Sequence, residues 1–279
     1  MSVLAPFAIE SVIALRPSAT APLAGLLPAA RDSAAEQLGR MDRLCGLAVV
    51  GSEICLAGLD PSWREQAAQT AVLCGSRDGC LATDTAFFRG VLAGEASPRL
   101  FAYTLHSAPV GAVSIQHGLL GPGATAVGSV TSGLQALEEA TLLLAAGQAR
   151  ACLVLSCDVA WKPGHDVVAA LFLTPRPTAA RASQTWGLLA VRSAFCAGQP
   201  QRALAQVVDG LRAQRVLPAS AVAVPAKEPP LSALARLASA PAQVHPGLAD
   251  AGADTVLLTC VDDQGYAAAV VLARAAVPS

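Results

Sequence analysis

Two kinds of hydrophobic pattern alternate along the chain. Near-continuous apolar runs such as 150–157 (RACLVLSC) are typical of buried strands, whereas apolar residues spaced three or four apart, as over 131–147, indicate amphipathic helices. The patterns predict strands over 5–15, 70–74, 150–157, 166–173, 186–193 and near 220–224, and helices over 41–58, 81–93, 109–118, 131–147 and 201–215.

A predicted hairpin and two predicted loop segments complete the pattern. Two apolar runs, 254–261 and 266–273, flank a turn at 262–265 and predict a β-hairpin. The segments 17–40 and 225–250 are rich in Pro and Ala; we expect loops there, with one helix over 230–240. Alternation of strands and helices in two unequal parts predicts an α/β fold with mixed sheets.

Composition narrows the class of protein. The 279 residues carry a net charge of -1 and contain no basic run, which argues against nucleic acid as the main partner. Mean hydropathy is high, at +0.50, but no run of about 20 apolar residues exists, so we expect no membrane span. We attribute the excess to a core covered on both sheet faces and to an apolar partner surface. No signal peptide is evident, and we expect a cytoplasmic protein.

The eight cysteines form no C-x-x-C pair and lie mostly in apolar runs. We interpret them as small buried hydrophobic residues in a reducing compartment. Zinc would require paired ligands at close spacing, and we expect neither a metal nor a cofactor. The cysteines are Cys45, Cys55, Cys74, Cys80, Cys152, Cys157, Cys196 and Cys260.

A family resemblance is carried by 97–161, which contains FAYTL, then GLLGPG, a strand and turn (ATAVGSVTSG), a helix and the strand ACLVLSC. This text resembles the β-ketoacyl-acyl-carrier-protein synthase family, and 41–96 and the ending DQGYAAAVVLAR are also similar to it. The resemblance implies a thiolase-like α/β fold, with a ketosynthase-like first half at 1–195 and a reduced second half at 196–279. A complete synthase of the family is distinctly longer.

The family's nucleophile is a cysteine at a strand-to-helix turn, where the helix dipole and free N–H groups lower the thiol pKa and stabilise an oxyanion. Counted from Gly121-Pro122, this position falls on Val130, which has no nucleophilic atom. We therefore expect no catalytic residue here. Ser129, Thr131 and Ser132 flank the position, and we expect Thr131 and Ser132 to cap the helix, with Gln135 in the first turn.

The family's two catalytic histidines have no clear counterparts. No His-Gly-Thr sequence exists, and His245 is a weak candidate for the second position. We expect His106 and His117 to make hydrogen bonds at helix ends. Glu138 and Glu139 are expected on the solvated or partner-facing side of their helix.

The resemblance therefore points to a chain-length-factor-like subunit, which pairs with a catalytic ketosynthase in type II fatty acid or polyketide (aryl-polyene-like) biosynthesis. It implies a heterodimer that shapes or stabilises the partner's acyl tunnel and meets acyl carrier protein through the complex. We expect the interface on Arg150–Cys157 and the loop Leu100–Pro109. The candidate interface or tunnel residues are Phe101, Tyr103, Leu105, Cys152, Val154 and Leu155.

Three alternatives stay open. The chain could be an acyl-thioester hydrolase or acyltransferase that uses Ser129, Ser132 or His245, since an activated hydroxyl can replace a thiol. It could be a stand-alone module that binds acyl chains or carrier protein. A homodimer would satisfy the apolar composition as well as a heterodimer does.

Overall fold

The computed structural model describes residues 7–27, 38–160, 164–175, 186–214, 222–225 and 255–274. Within these residues, nine strands form one mixed sheet, where the sequence predicted mixed sheets in two unequal parts. The strands are β1 (Phe7–Leu15), β2 (Thr70–Ser76), β3 (Gly123–Val127), β4 (Ala151–Asp158), β5 (Val167–Thr174), β6 (Trp186–Phe195), β7 (Val222–Pro225), β8 (Thr255–Val261) and β9 (Tyr266–Arg274).

The predicted helices over the described residues are confirmed to within a few residues at each end. One short helix, α3, is not among the predicted helices, and the predicted helix over 230–240 lies outside the described residues. The helices are α1 (Arg43–Ala57), α2 (Leu81–Leu92), α3 (Pro98–Phe101), α4 (Ala108–His117), α5 (Ser132–Ala145) and α6 (Pro200–Ala213), with 3-10 turns at Leu23–Leu26 and Pro61–Gln69.

The strand order is β3-β2-β4-β5-β1-β6-β9-β8-β7. Strand β2 runs parallel to β3 and β4, β7 runs parallel to β8, and every other neighbouring pair is antiparallel. Strand β6 joins the two halves: it pairs with β1 at Phe7 and Ala8 and with β9 along its whole length. The sheet is thus continuous across residue 195, and the division into two halves there stays a prediction.

Helices cover both faces of the sheet. Helix α5 packs on one face, where its apolar residues share a core with both halves of the sheet. On the other face, α1 and α4 cover the first half and α6 covers the second. This layering explains why strands such as β2 and β4 read as continuous apolar runs, because both of their faces are buried.

Helix ends follow the local sequence. Asp42 accepts a hydrogen bond from the Cys45 N–H (3.0 Å) at the start of α1. Gly118 ends α4 in the left-handed conformation (φ +66°), as its place after the apolar pattern predicted. No helix in the described part of the chain is both long enough and apolar enough to cross a bilayer.

Candidate functional site

The turn between β3 and α5, residues 128–131, is the elbow at which the sequence placed the lost nucleophile. Gly128 has φ +121°, a conformation that glycine adopts without strain. Gly75 of β2 lies directly against the start of α5, because a Cβ there would come within 2.3 Å of the Ser132 carbonyl carbon and oxygen. Because residue 75 has no side chain, the backbone of the elbow can pack directly against β2.

The hydroxyl groups of the elbow are buried and bonded to one another. The Thr131 N–H donates to the Ser129 Oγ (3.0 Å), and the Ser129 N–H donates to the Ser132 Oγ (3.1 Å). Thr131 is the residue at the helix N-cap, but its side chain accepts no hydrogen bond from the helix backbone; it accepts one from the Gln135 side-chain amide (3.2 Å). The prediction that the Thr131 side chain caps the helix is therefore wrong. The hydroxyl oxygens of Ser129 and Ser132 accept from backbone N–H groups within the turn instead.

Val130 lies half-exposed between these buried neighbours. Its place before the α5 N-terminus matches the position at which a thiol would be activated, but a valine side chain can neither attack a carbonyl nor transfer a proton. The elbow of this chain thus has no reactive side-chain atom at position 130.

The hairpin between β8 and β9 closes the elbow from the other half of the chain. The Ser129 hydroxyl donates to the Asp262 Oδ2 (2.8 Å), and the Asp262 Oδ1 accepts from the N–H groups of Gln264, Gly265 and Tyr266 (3.1, 2.9 and 2.8 Å). The sequence did not predict this contact, although it did predict a turn that begins at Asp262.

The described contacts of Ser129 include one carboxylate that accepts its proton, that of Asp262, and no histidine, which is the most frequent general base for a serine nucleophile. Its oxygen is hydrogen bonded to Asp262, to the Thr131 hydroxyl (3.0 Å) and to the Thr131 N–H, and no histidine belongs to this set. His245, the weak sequence candidate, lies outside the described residues.

His106 and His117 were expected to make hydrogen bonds at helix ends, and their surroundings differ. The His117 Nε2 is 2.8 Å from the Ser52 Oγ, and its ring packs edge-on against Trp63. The His106 Nδ1 is 3.1 Å from the Cys80 Sγ, a contact that the sequence did not predict. Glu138 accepts a hydrogen bond from Ser193 of β6, so it faces the sheet, which the prediction for this helix face missed.

The eight cysteines are free, and seven of them are buried, as their apolar context predicted. Burial raises the pKa of the Cys55 and Cys152 thiols to about 12, so both are protonated at neutral pH. In the described part of the chain, no three His, Cys, Asp or Glu side chains are arranged to hold a metal ion.

Three of the candidate interface residues are core residues. Cys152, Val154 and Leu155 have no exposed surface, and β4 is hydrogen bonded to β2 on one side and β5 on the other. Another chain could contact neither their side chains nor the strand's backbone groups. The placement of an interface on this strand is therefore corrected: β4 is the centre of the first half of the sheet.

The loop candidates lie on the surface instead. Phe101 is 62% exposed and Leu105 is 63% exposed, while Tyr103 is half-buried with its hydroxyl 3.4 Å from the Arg40 carbonyl oxygen. Burial raises the pKa of the Tyr103 phenol.

Helix α2 extends this surface. It contains no buried residue although it is rich in apolar side chains, and its Phe87 ring lies 5.5 Å from the ring of Phe101. We call the exposed side chains of α2, α3 and the following loop the apolar surface; its large members are Leu81, Phe88, Val91, Leu92, Phe101 and Leu105.

The chain matches the N-terminal domain of β-ketoacyl synthases over residues 52–211, more than half of its length. It therefore belongs to the β-ketoacyl synthase N-terminal domain family. No curated protein sequence matches it.

Solved structures share the fold at low sequence identity. The ishigamide ketosynthase/chain length factor matches with a TM-score of 0.69 and 23% identity, over 97% of this chain and 100% of that chain. A β-ketoacyl synthase from Burkholderia phymatum STM815 matches with a TM-score of 0.70 and 12% identity, over 97% and 100%. A ketosynthase in complex with its chain length factor from Xenorhabdus doucetiae matches with a TM-score of 0.65 and 13% identity, over 97% and 98%. The ketosynthase-like fold that the resemblance implied is confirmed.

Proposed function

We propose that this chain is a non-catalytic, chain-length-factor-like subunit that pairs with an active β-ketoacyl synthase in type II fatty acid or polyketide (aryl-polyene-like) biosynthesis. In this role it shapes or stabilises the partner's acyl tunnel, and acyl carrier protein is met through the complex. The observation that carries the proposal is Val130, an inert side chain in an elbow whose backbone is otherwise intact.

The tight packing of the elbow supports a retained structural role. Gly75, Ser129, Ser132 and Asp262 hold the turn in place from three separate segments of the chain. A turn that had lost its reaction and served no purpose would not need a carboxylate from the other half of the fold to hold it. The preserved conformation of the turn supports a structural role, in which a partner contacts this chain through the shape of its surface.

The exposed features supply a partner surface. Strand β3 is an edge strand of the sheet, and among the described residues it pairs with β2 alone. Its free edge presents N–H and C=O groups that another strand can pair with. The apolar surface lies on segments between β2 and β3 in the chain. Exposed apolar patches rimmed by polar residues mark protein interfaces. Both features favour a second, similarly folded chain as the partner.

The test is co-expression with the ketosynthase encoded nearest to this chain. We expect a 1:1 complex on co-purification, and condensation of acyl and malonyl thioesters by the complex but not by this chain alone. Activity should be unchanged in Ser129→Ala, Ser132→Ala and His245→Ala, and it should be lost when the partner's catalytic cysteine is replaced.

Other outcomes would contradict the proposal in distinct ways. Hydrolysis or transfer of acyl thioesters by the isolated chain, lost in Ser129→Ala or Ser132→Ala, would make it an enzyme with a hydroxyl nucleophile. A stable monomer that binds acyl chains or carrier protein and forms no complex would make it a stand-alone binding module.

A further inference from the structure

Residues 81–105, which we call the α2–α3 segment, share no hydrophobic core with the rest of the fold. Helices α2 and α3 contain no buried residue, and no residue of the segment belongs to the hydrophobic clusters formed by the described residues. Burial of apolar side chains is the main favourable term in folding, and a helix of 12 residues is only marginally stable without it. The fold therefore stabilises this segment less than its other helices.

A pocket of about 360 Å³ lies on the inner side of the α2–α3 segment. Residues from the first turns of α2 and from α3 line it, together with residues 41–44 at the start of α1. The segment thus meets α1 across a pocket rather than through close packing, and atoms that border a gap lack the dispersion contacts of a packed interface. Moving the segment away from α1 would therefore disrupt no packed core.

Polar contacts attach the α2–α3 segment to the rest of the described chain. The Thr83 hydroxyl donates to the Asp42 Oδ2 (2.8 Å), which links the first turn of α2 to the N-cap of α1. Near the other end of the segment, the Tyr103 hydroxyl donates to the Arg40 carbonyl oxygen (3.4 Å). A few hydrogen bonds stabilise a segment less than burial of several large apolar side chains would.

Cys80 lies at the base of the segment, where its two ends meet. It is the N-cap residue of α2 and is only 1% exposed. Its Sγ is 3.1 Å from the Thr104 carbonyl oxygen and 3.1 Å from the His106 Nδ1, so the far end of the segment covers the thiol. The preceding residue, Gly79, has φ +56°, a backbone conformation that glycine adopts without strain. Separation of the two ends at this turn would expose the Cys80 thiol to solvent.

We infer that the α2–α3 segment is a lid over this pocket, which opens locally in the free chain while the sheet and the other helices stay folded. Opening breaks the hydrogen bond between Thr83 and Asp42, moves α2 and α3 away from α1, and exposes the pocket lining and the Cys80 thiol. Segments with few buried apolar contacts open at a lower free energy than the core and do so as separate units. This inference goes beyond the proposed function, because it concerns the free chain and requires no partner subunit.

The test follows modification of individual cysteines by iodoacetamide in the full-length chain at neutral pH, quantified by peptide mass spectrometry. Cys55 in α1 and Cys152 in β4 are the internal controls, since neither has exposed surface and both lie in packed elements. A buried thiol reacts only when the structure around it opens. We expect Cys80 to react at least about tenfold faster than either control, because the lid opens more often than the core does.

Thr83→Val removes the hydrogen bond to Asp42 and keeps the branched shape of the side chain. Because a hydrogen bond to a charged group stabilises the closed lid, its loss should speed modification of Cys80 by about tenfold and leave the two control cysteines unchanged. Thr85→Val is the matched control, since the Thr85 hydroxyl donates to the Leu81 carbonyl oxygen within the same helix (2.8 Å). It should change the Cys80 rate by less than about twofold.

Amide hydrogen exchange of the wild-type chain gives a second readout that needs no variant. We expect the amides of α2 to exchange at least about tenfold faster than those of α5, a helix of similar length with one face buried in the core. Equal protection of the two helices would overturn the inference.

Three results of the cysteine experiment would also overturn it. Equal rates at Cys80 and at the controls would show that the segment opens only when the whole fold does. Acceleration of all three cysteines in Thr83→Val would show that this hydrogen bond stabilises the whole fold rather than a separate lid. An unchanged Cys80 rate in that variant would show that the reagent reaches the thiol without opening of the lid. Each result leaves the heterodimer test above unaffected, so the two proposals fail separately.

Discussion

At the scale of single residues, the proposal of a non-catalytic subunit rests on Val130, and this position can be probed directly. In Val130→Cys the new thiol lies beside the N-terminus of α5, where the helix dipole favours the thiolate. We expect iodoacetamide to modify it several-fold faster at pH 7 than the thiol of Leu142→Cys, which lies in the last turn of the same helix.

The choice of Leu142→Cys as the control separates thiol activation from accessibility. Leu142 is 59% exposed, whereas Val130 is half-buried, so accessibility alone predicts the opposite order. Site-specific rates from peptide mapping separate both thiols from the native cysteines. Faster modification at position 142 would show that the elbow does not activate a thiol.

Gly75 makes a second test at this scale. In Gly75→Ala the new methyl group would overlap the backbone of Ser132 and Gly133, where no flexible side chain can yield. We expect a loss of about 1–3 kcal/mol in the free energy of unfolding, measured by urea denaturation. Gly111→Ala is the matched control: it lies within α4 with open space around it, and should gain about 0.5–1 kcal/mol. An unchanged stability in Gly75→Ala would mean that the elbow is not packed against β2.

The assignment of Val130 to the nucleophile position needs only a local motif, and it stays a prediction. The sequence could not predict the contacts of Asp262 with Ser129 or of Cys80 with His106. These pairs are 133 and 26 residues apart, and no local pattern records which turn meets which. Both depend on the strand order, which brings the ends of distant strands to one edge of the sheet.

At the scale of elements, the Asp262 carboxylate joins the β8–β9 hairpin to the start of α5. Asp262→Ala removes the acceptor of three backbone N–H groups and of the Ser129 hydroxyl, so we expect a loss of about 1–3 kcal/mol in unfolding free energy. Asp263→Ala, at the exposed neighbouring position in the turn, should change stability by about 0.5 kcal/mol or less.

A double-mutant cycle isolates the link between the two elements. Ser129→Ala and Asp262→Ala remove the same hydrogen bond, so their combined effect should be smaller than the sum by about 1 kcal/mol. Additive effects would show that the hairpin and the elbow are energetically independent.

Asp158, at the end of β4, supports the neighbouring turn that leads to Cys80. Its Oδ1 accepts from the Ser76 hydroxyl (2.9 Å) and the Arg77 N–H (2.7 Å). Burial raises the pKa of its carboxyl above the usual range, more than these hydrogen bonds lower it. Because the folded-state pKa is raised, the protonated form favours folding, and this contribution is lost as the pH rises through that pKa.

Asp158→Asn keeps the accepting oxygen and removes the charge. We therefore expect the variant to be more stable than wild type at neutral pH, with the difference shrinking as the pH falls toward the ordinary aspartate range. Urea denaturation of both proteins across this range measures it. A variant less stable at neutral pH would mean that the charge itself is needed by the turn.

Element boundaries were predictable wherever the local chemistry was strong. Asp42, Gly118 and Gly147 mark helix ends, and the apolar runs of β2 and β4 mark strands with two covered faces. The assignment of β4 to an interface was wrong because an apolar run does not distinguish a strand buried in its own core from one buried against a partner. The pairing of both its edges makes that distinction.

At the scale of the whole molecule, the apolar surface is the feature with the largest consequence for assembly. If it contacts the partner, Phe101→Asp combined with Leu105→Asp should abolish co-purification with the ketosynthase, because charges would be buried in the interface. Leu142→Asp is the control: Leu142 is comparably exposed but lies in the last turn of α5, outside the apolar surface. The complex should survive it.

Size-exclusion chromatography and pull-down of the co-expressed pair measure the effect, and circular dichroism confirms that each variant is folded. A complex that tolerates both aspartates would place the interface elsewhere, with the free edge of β3 as the next surface to examine. Loss of the complex in Leu142→Asp as well would indicate a general effect of added charge rather than a defined contact.

The bond between Ser129 and Asp262 also sets an order of events during synthesis. The elbow is translated in the middle of the chain, but the carboxylate that holds it is translated 133 residues later. At translation rates of about 5–20 residues per second, several seconds or more pass between synthesis of the elbow and synthesis of Asp262. During that interval the first half of the sheet has no β9 with which β6 can pair. If the proposed partner binds this chain, it would meet an incomplete sheet until residues 255–274 are translated, and stable assembly should follow their completion.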